Sequence, residues 1–133
     1  MYTLEEIKEY FKEDLFATKV LGIEIIEANN GYAKCELNVK KDLKNARDVI
    51  MGGALYTLAD FTFAVATNQN EGYNTVTTSS TINYLRPAIS NKLVAEAIKI
   101  RDGKTICFYE INVYDDKNVL VSKINTLGTH INK

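Results

Sequence analysis

The sequence predicts an α+β domain: an antiparallel β-sheet wrapped around one long central helix, with a second helix at the N-terminus. Three observations lead there. Ala54–Asn70 runs about seventeen residues without Gly or Pro. Its apolar residues (Leu55, Leu58, Ala59, Phe61, Phe63, Ala64, Val65 and Ala66) surround it almost completely, and a helix apolar nearly all round is buried. The extended runs before and after it are joined by hairpin-type connections, which make a sheet antiparallel.

The N-terminal helix begins at Thr3. Glu6 follows at the spacing of a capping box, and Tyr2 and Ile7 stand where a hydrophobic staple would place them. Leu4, Ile7 and Phe11 form its apolar stripe, which Leu15 and Phe16 are expected to continue after Asp14. Two strands come next, Val20–Glu27 and Tyr32–Val39, joined by Asn29-Asn30-Gly31, residues that tolerate positive φ. In the second of them Ala33, Cys35, Leu37 and Val39 alternate with polar residues, the mark of a strand with one wet face. Lys40–Asp48 is too charged to be buried. Gly52-Gly53 opens the long helix and Gly72 stands at a plausible C-cap. Strands are then expected over Thr75–Leu85, Lys92–Ile100, Thr105–Tyr114 and Val119–Thr129, with a tight turn at Asp102-Gly103.

A chain of 133 residues, 46% hydrophobic and 25% charged, is ordinary for one globular domain, here residues 1–133. Sixteen Lys and Arg balance 17 Asp and Glu, which argues against a nucleic-acid partner. No run approaches the ~18 apolar residues of a membrane span, so no membrane partner is expected. Cys35 and Cys107 form no CxxC pair and read as strand packing. Two lone thiols behind a start without a signal peptide fit a reducing cytoplasm. A single His leaves little room for a His-rich metal site or a Ser-His-Asp triad, and no metal is expected.

One residue does not fit its surroundings. Asp60 lies mid-helix among Leu58, Ala59, Phe61 and Phe63, where an unpaired buried carboxylate is costly. Helical spacing puts Gly53, Thr57, Asp60, Ala64 and Thr67 on one narrow face of small and polar residues. Either hydroxyls or a cation hold Asp60 without chemistry, or a cleft or subunit interface runs along that face. The helix start is the second feature. Its first N–H groups have no internal partner and carry the positive end of the dipole. With Gly52 and Gly53 there, a ligand oxygen can approach the backbone closely, which suits a carbonyl oxygen that becomes negative in acyl transfer. The bland reading is a tight turn into the helix. Gly52 and Asp60 are about 12 Å apart along one helix, too far to meet one carbonyl carbon. If both act in one site, Asp60 must come from a second subunit.

The stretch Asn45 to Asp60, with Ile50-Met51-Gly52-Gly53-Ala54-Leu55-x-Thr57-Leu58-Ala59-Asp60 at its end, resembles the signature of the hotdog-fold acyl-CoA thioesterases, the phenylacetate-pathway type above all. Thr81-Ile82-Asn83-Tyr84-Leu85-Arg86-Pro87-Ala88 matches the following strand of that family, and Gly103-Lys104 and Leu127-Gly128-Thr129 are also in place. The resemblance implies hydrolysis of an acyl-CoA thioester to a carboxylic acid and free coenzyme A. It implies Asp60 as general base or nucleophile, the Gly52 N–H as the group that polarises the thioester carbonyl, and Asn45 as the loop residue that helps hold the reacting group or water. Thr77, or Thr78 if the register slips by one, would orient the water. Met51 and Gly53 would line the substrate and Arg86 is a candidate for a coenzyme A phosphate, beside its ordinary reading as a solvated charge. Coenzyme A would be part of the substrate, no cofactor is implied, and the assembly would be a homodimer or a dimer of dimers, a homotetramer.

Two positions depart from the family pattern. Met51 stands where a His usually precedes the two glycines, and Asp48 stands where a Gly is usual. The first leaves open a non-hydrolytic acyl-CoA binder of the same fold. A hydratase or dehydratase of this fold needs a His beside the carboxylate, and none lies near Asp60 in the sequence.

Overall fold

The computed structural model describes residues 1–72 and 74–131. Helix α1, Leu4–Phe11, is followed by strands β1, Glu24–Asn29, and β2, Tyr32–Asn38; the long helix α2, Gly52–Thr67; and strands β3, Thr75–Tyr84, β4, Lys92–Asp102, β5, Ile106–Tyr114, and β6, Leu120–His130. The strands form one antiparallel sheet in the order β1-β2-β4-β5-β6-β3. α2 lies against its inner face, nearest to β2, β4 and β5. This is the α+β architecture expected, a sheet around a central helix.

Local chemistry explains each element. Thr3 and Glu6 close the capping box reciprocally, Glu6 N–H donating to Thr3 Oγ1 at 3.2 Å and Thr3 N–H to Glu6 Oε1 at 2.9 Å. Ile7 and Phe11 are buried, and the Phe11 ring meets Phe61 of α2 edge-on, with 5.5 Å between centroids. Asn30 and Gly31 both have positive φ, 49° and 78°, which gives the β1–β2 hairpin its two-residue turn. Buried Gln69 secures that turn: it accepts from Gly31 N–H and donates to the Tyr32 carbonyl. Tyr109, buried on β5, packs edge-on against Phe63 and donates to the Gly31 carbonyl at 2.8 Å.

Several boundaries differ from the sequence reading. The first strand starts at Glu24, because Phe16–Val20 forms a π-helical turn. Leu15 and Phe16 do not extend the apolar stripe of α1; both are more than half exposed. α2 begins at Gly52 and ends at Thr67, with Asn68 as its C-cap, so Gly72 belongs to the following turn. Asn68 ends the helix because its side chain turns to the next strand, accepting from Thr75 N–H at 3.0 Å. The β4–β5 connection is longer than a two-residue turn: Asp102 pairs with Cys107, and Gly103 N–H donates to the Ile106 carbonyl.

Candidate active site

Asp60 is the first correction at the site. It is not sealed in the core of the single chain: its residue is exposed, on the one face of α2 that the sheet leaves uncovered, together with Gly53 and, half-buried, Thr57 and Ala64. The helical stripe is the one anticipated, except that Thr67 at its end is buried. The sheet wraps the other faces of α2, and their apolar residues fill the core.

The carboxyl is nevertheless held. Thr77 on β3 donates its hydroxyl to Asp60 Oδ1 at 3.1 Å. The neighbouring Thr78 instead pairs its hydroxyl with that of Thr129 on β6, at a bulge where the β3–β6 register shifts. The surrounding protein pushes the Asp60 pKa above the ordinary carboxylate value, and the Thr77 hydrogen bond, which favours the ionised form, opposes that rise. Asp14 is raised too, by its own burial and then by the charge of Asp60. Asp14, Leu15, Phe16, Thr57, Asp60 and Phe61 line a pocket of about 300 Å³. The exposure of Leu15 and Phe16 therefore has a place: they wall the hollow beside the carboxyl.

At the other end of the same helix, the N–H groups of Gly52 and Gly53 find no acceptor within the described residues, whereas those of Ala54 and Leu55 bond back to the Met51 carbonyl. Met51, the N-cap residue, contributes no side-chain cap and is exposed. A Cβ on Gly52 would stand 2.9 Å from the hydroxyl of the exposed Tyr84, which donates to the Gly52 carbonyl at 3.0 Å, so a larger residue there would push that ring aside. A Cβ on Gly53 would meet nothing within 4 Å. Gly52, Leu55, Tyr84, Leu85 and Arg86 line a larger cavity of about 530 Å³, so the exposed Arg86 opens onto the helix start.

Asn45 shapes the loop that delivers the chain to this helix. Its Oδ1 accepts from the N–H groups of Arg47 and Val49, at 2.9 and 3.3 Å, and its carbonyl accepts from Asp48 N–H. Asp48 sits in the left-handed region at φ 62°. That explains why glycine suits this position and why Asp, which tolerates αL better than most residues, can replace it. The structure thus brings Asp60 and Thr77 together, and groups Gly52, Met51 and Arg86 at the helix start with Asn45 bracing the loop before it. It does not join the two groups in one chain, because α2 separates Gly52 from Asp60 by about 12 Å of helical rise. The roles of Tyr84, Asp14, Leu15 and Phe16 were not read from the sequence. Tyr84 lies in the strand motif Thr81–Ala88, but its contact with Gly52 depends on how β3 passes the helix start.

A family model described as the thioesterase superfamily matches residues 48–122. The chain belongs to this superfamily. The matched region spans both Gly52 and Asp60. An Escherichia coli relative named acyl-coenzyme A thioesterase PaaI is 31% identical, over 78% of this chain and 74% of its own. Among solved structures, a thioesterase of Haemophilus influenzae superimposes with a TM-score of 0.89 at 26% identity, covering 99% of this chain and 92% of that one. The Escherichia coli PaaI structure, from the phenylacetic acid degradation operon, gives 0.84 at 28% identity over 97% and 96%. The hotdog fold and thioester hydrolysis as the general activity of this superfamily member follow. No helix among the described residues is long and apolar enough to cross a membrane.

Proposed function

We propose that the protein hydrolyses an acyl-CoA thioester to a carboxylic acid and free coenzyme A, in a site shared by two protomers. The observation that carries this reading is the placement of a Thr77-bound carboxylate on the uncovered face of the same helix whose first two N–H groups are unused. A two-fold dimer with antiparallel α2 helices sets Asp60 of one protomer against the helix start of the other. The β3 edge supports such a partner. Thr75–Tyr84 is a ten-residue outer strand with no charged residue and no Pro, unlike β1 at the opposite edge, which carries Glu24 and Glu27. Long uncharged edges are normally covered or paired.

In that site the Gly52 N–H, at the positive end of α2, donates to the thioester oxygen and stabilises the charge that develops on it. Ionised Asp60 either takes a proton from the attacking water, which Thr77 helps orient, or attacks the carbonyl carbon itself to form an anhydride that water then opens. In both routes the C–S bond breaks and the coenzyme A thiolate leaves with a proton from water. Gly53 and Met51 border the substrate, the Asn45 side-chain amide helps hold the reacting group, and Arg86 meets a phosphate. The E. coli relative's activity toward acyl-CoA supports this choice of thioester.

The test is a hydrolysis screen of short aliphatic, long aliphatic and aromatic acyl-CoAs on wild type, Asp60→Asn and Met51→His. Turnover is expected in wild type and lost in Asp60→Asn with the fold kept; full turnover in Asp60→Asn would remove the proposal. One observation favours a second reading, a non-hydrolytic acyl-CoA binder: Met51 offers no polar side chain at the N-cap. That reading predicts binding without turnover in wild type, with hydrolysis gained in Met51→His.

A further inference from the structure

The ends of three neighbouring strands gather Asp102, Cys107 and His130, which the reaction above does not use. Asp102 and Cys107 are cross-strand partners on β4 and β5, and Cys107 faces Gly128 on β6, two residues before His130 on the same side of the strand. One ligand atom from each of the three lies within 4.8 Å of the others. Cys107 is buried, the His130 side chain is only 6% exposed, and that of Asp102 is 37% exposed, so the cluster is set into the protein but open on one side.

Its surroundings are organised around these atoms. His130 Nδ1 lies 2.7 Å from Thr75 Oγ1, and Nε2 lies 2.7 Å from Asp102 Oδ1. A ligating imidazole is usually held this way, with its far nitrogen fixed by an outer partner. Gly128 lets the β6 backbone close on the sulfur, since a Cβ there would stand 2.9 Å from Cys107 Sγ. A cavity of about 30 Å³ adjoins Asp102 and His130, bordered also by Thr67, Gln69 and Tyr109. That is room for one water.

We propose that Asp102, Cys107 and His130 form a binding site for one divalent cation of the zinc class, with water as the fourth ligand. Thiolate, imidazole and carboxylate together are a zinc-type donor set. Tetrahedral bonds of about 2.0–2.3 Å separate neighbouring ligand atoms by roughly 3.3–3.6 Å. The present spacings, from 2.7 Å between His130 and Asp102 to at most 4.8 Å, bracket that value, and Asp102 stands on the open side where it can yield. Binding forms the metal–Sγ bond and releases the thiol proton to solvent. In the metal-free chain, burial and then the Asp102 charge push the Cys107 pKa up; a dication bonded to the sulfur outweighs both by favouring the thiolate. The ion would tie the ends of β4, β5 and β6 beneath the C-terminal end of α2, away from Gly52. A lone His does not exclude such a mixed site.

The test is titration of the metal-free full chain with Co²⁺. One equivalent is expected to produce a thiolate-to-cobalt charge-transfer band and tetrahedral visible bands, displaced by Zn²⁺, and Zn²⁺ is expected to raise the melting temperature. Cys107→Ser should abolish the charge-transfer band and Cys35→Ser should keep it. Asp102→Asn, at the open side, should weaken cobalt binding about tenfold or more. Absence of the band at one equivalent, its survival in Cys107→Ser, its loss in Cys35→Ser, or unchanged cobalt affinity in Asp102→Asn would each overturn the proposal.

Discussion

Replacing Thr77 with valine removes one hydroxyl and little else. The residue is exposed on the outer strand, and valine is β-branched and nearly the same shape, so the effect on stability should stay within about 0.5 kcal/mol. What is lost is the 3.1 Å hydrogen bond to Asp60 Oδ1. Hydrogen bonds to charged groups contribute up to about 3 kcal/mol when buried. At this solvent-reached carboxylate about 1 kcal/mol is the appropriate size, or roughly fivefold in the balance of ionised and protonated forms. The sign follows from the chemistry. The reaction needs Asp60 ionised, and partial desolvation by the surrounding protein already raises its pKa while Thr77 restrains the rise. Without the hydroxyl the pKa rises further, so the acid limb of kcat/KM moves to higher pH. The assay is kcat/KM against pH for wild type, Thr77→Val, Thr77→Ser and Thr78→Val with one acyl-CoA. On the acid side Thr77→Val should lose about fivefold beyond any loss on the plateau. Thr77→Ser should keep the wild-type limb, and so should Thr78→Val, whose hydroxyl serves Thr129 instead. A Thr77→Val limb that stays in place or moves to lower pH refutes the reasoning.

Two other substitutions separate packing from chemistry. Gly128→Ala places a Cβ 2.6 Å from Phe63 Cζ and 2.9 Å from Cys107 Sγ, all within the core. It should destabilise the fold by about 2–3 kcal/mol, read from chemical denaturation, and an unchanged midpoint would contradict the packing described. Gly53→Ala meets nothing in the chain and should stabilise α2 by about 0.5–1 kcal/mol. It should nevertheless lower kcat/KM, because its methyl enters the space given to substrate; higher stability with unchanged kcat/KM would place the substrate elsewhere.

The parts legible in the sequence were those where a residue contradicted its local pattern. Asp60 was visible because a carboxylate interrupts an apolar helix. Gly52 and Gly53 were visible because two glycines open it. The hairpin at Asn30-Gly31 was visible because its residues suit positive φ. What stayed hidden needed elements to meet. Asp60 was expected to be buried from its neighbours in sequence, but which helix face the sheet leaves open is a property of the whole sheet. Leu15 and Phe16 looked like core because the π-helical turn that redirects them has no strong pattern. Asp102, Cys107 and His130 looked like a turn residue, a packing thiol and a strand end, and only the β4-β5-β6 order brings them side by side.

The claim that two chains build each reactive centre can be measured by mixing two defective subunits. Asp60→Asn removes the carboxylate. Gly52→Pro removes the N–H at the first helical position, where proline is tolerated, after a Met51 whose extended backbone (φ −62°, ψ 138°) suits a following proline, and its Cβ displaces only the ring end of the exposed Tyr84 side chain. Each variant alone should be nearly inactive. If the carboxylate and the N–H come from different protomers of a two-fold dimer, half the dimers in an equal, re-equilibrated mixture are hybrids with one intact centre each. Turnover should then recover to about a quarter of wild type. A mixture as inactive as its components, with hybrid dimers verified by mass spectrometry, would contradict the account.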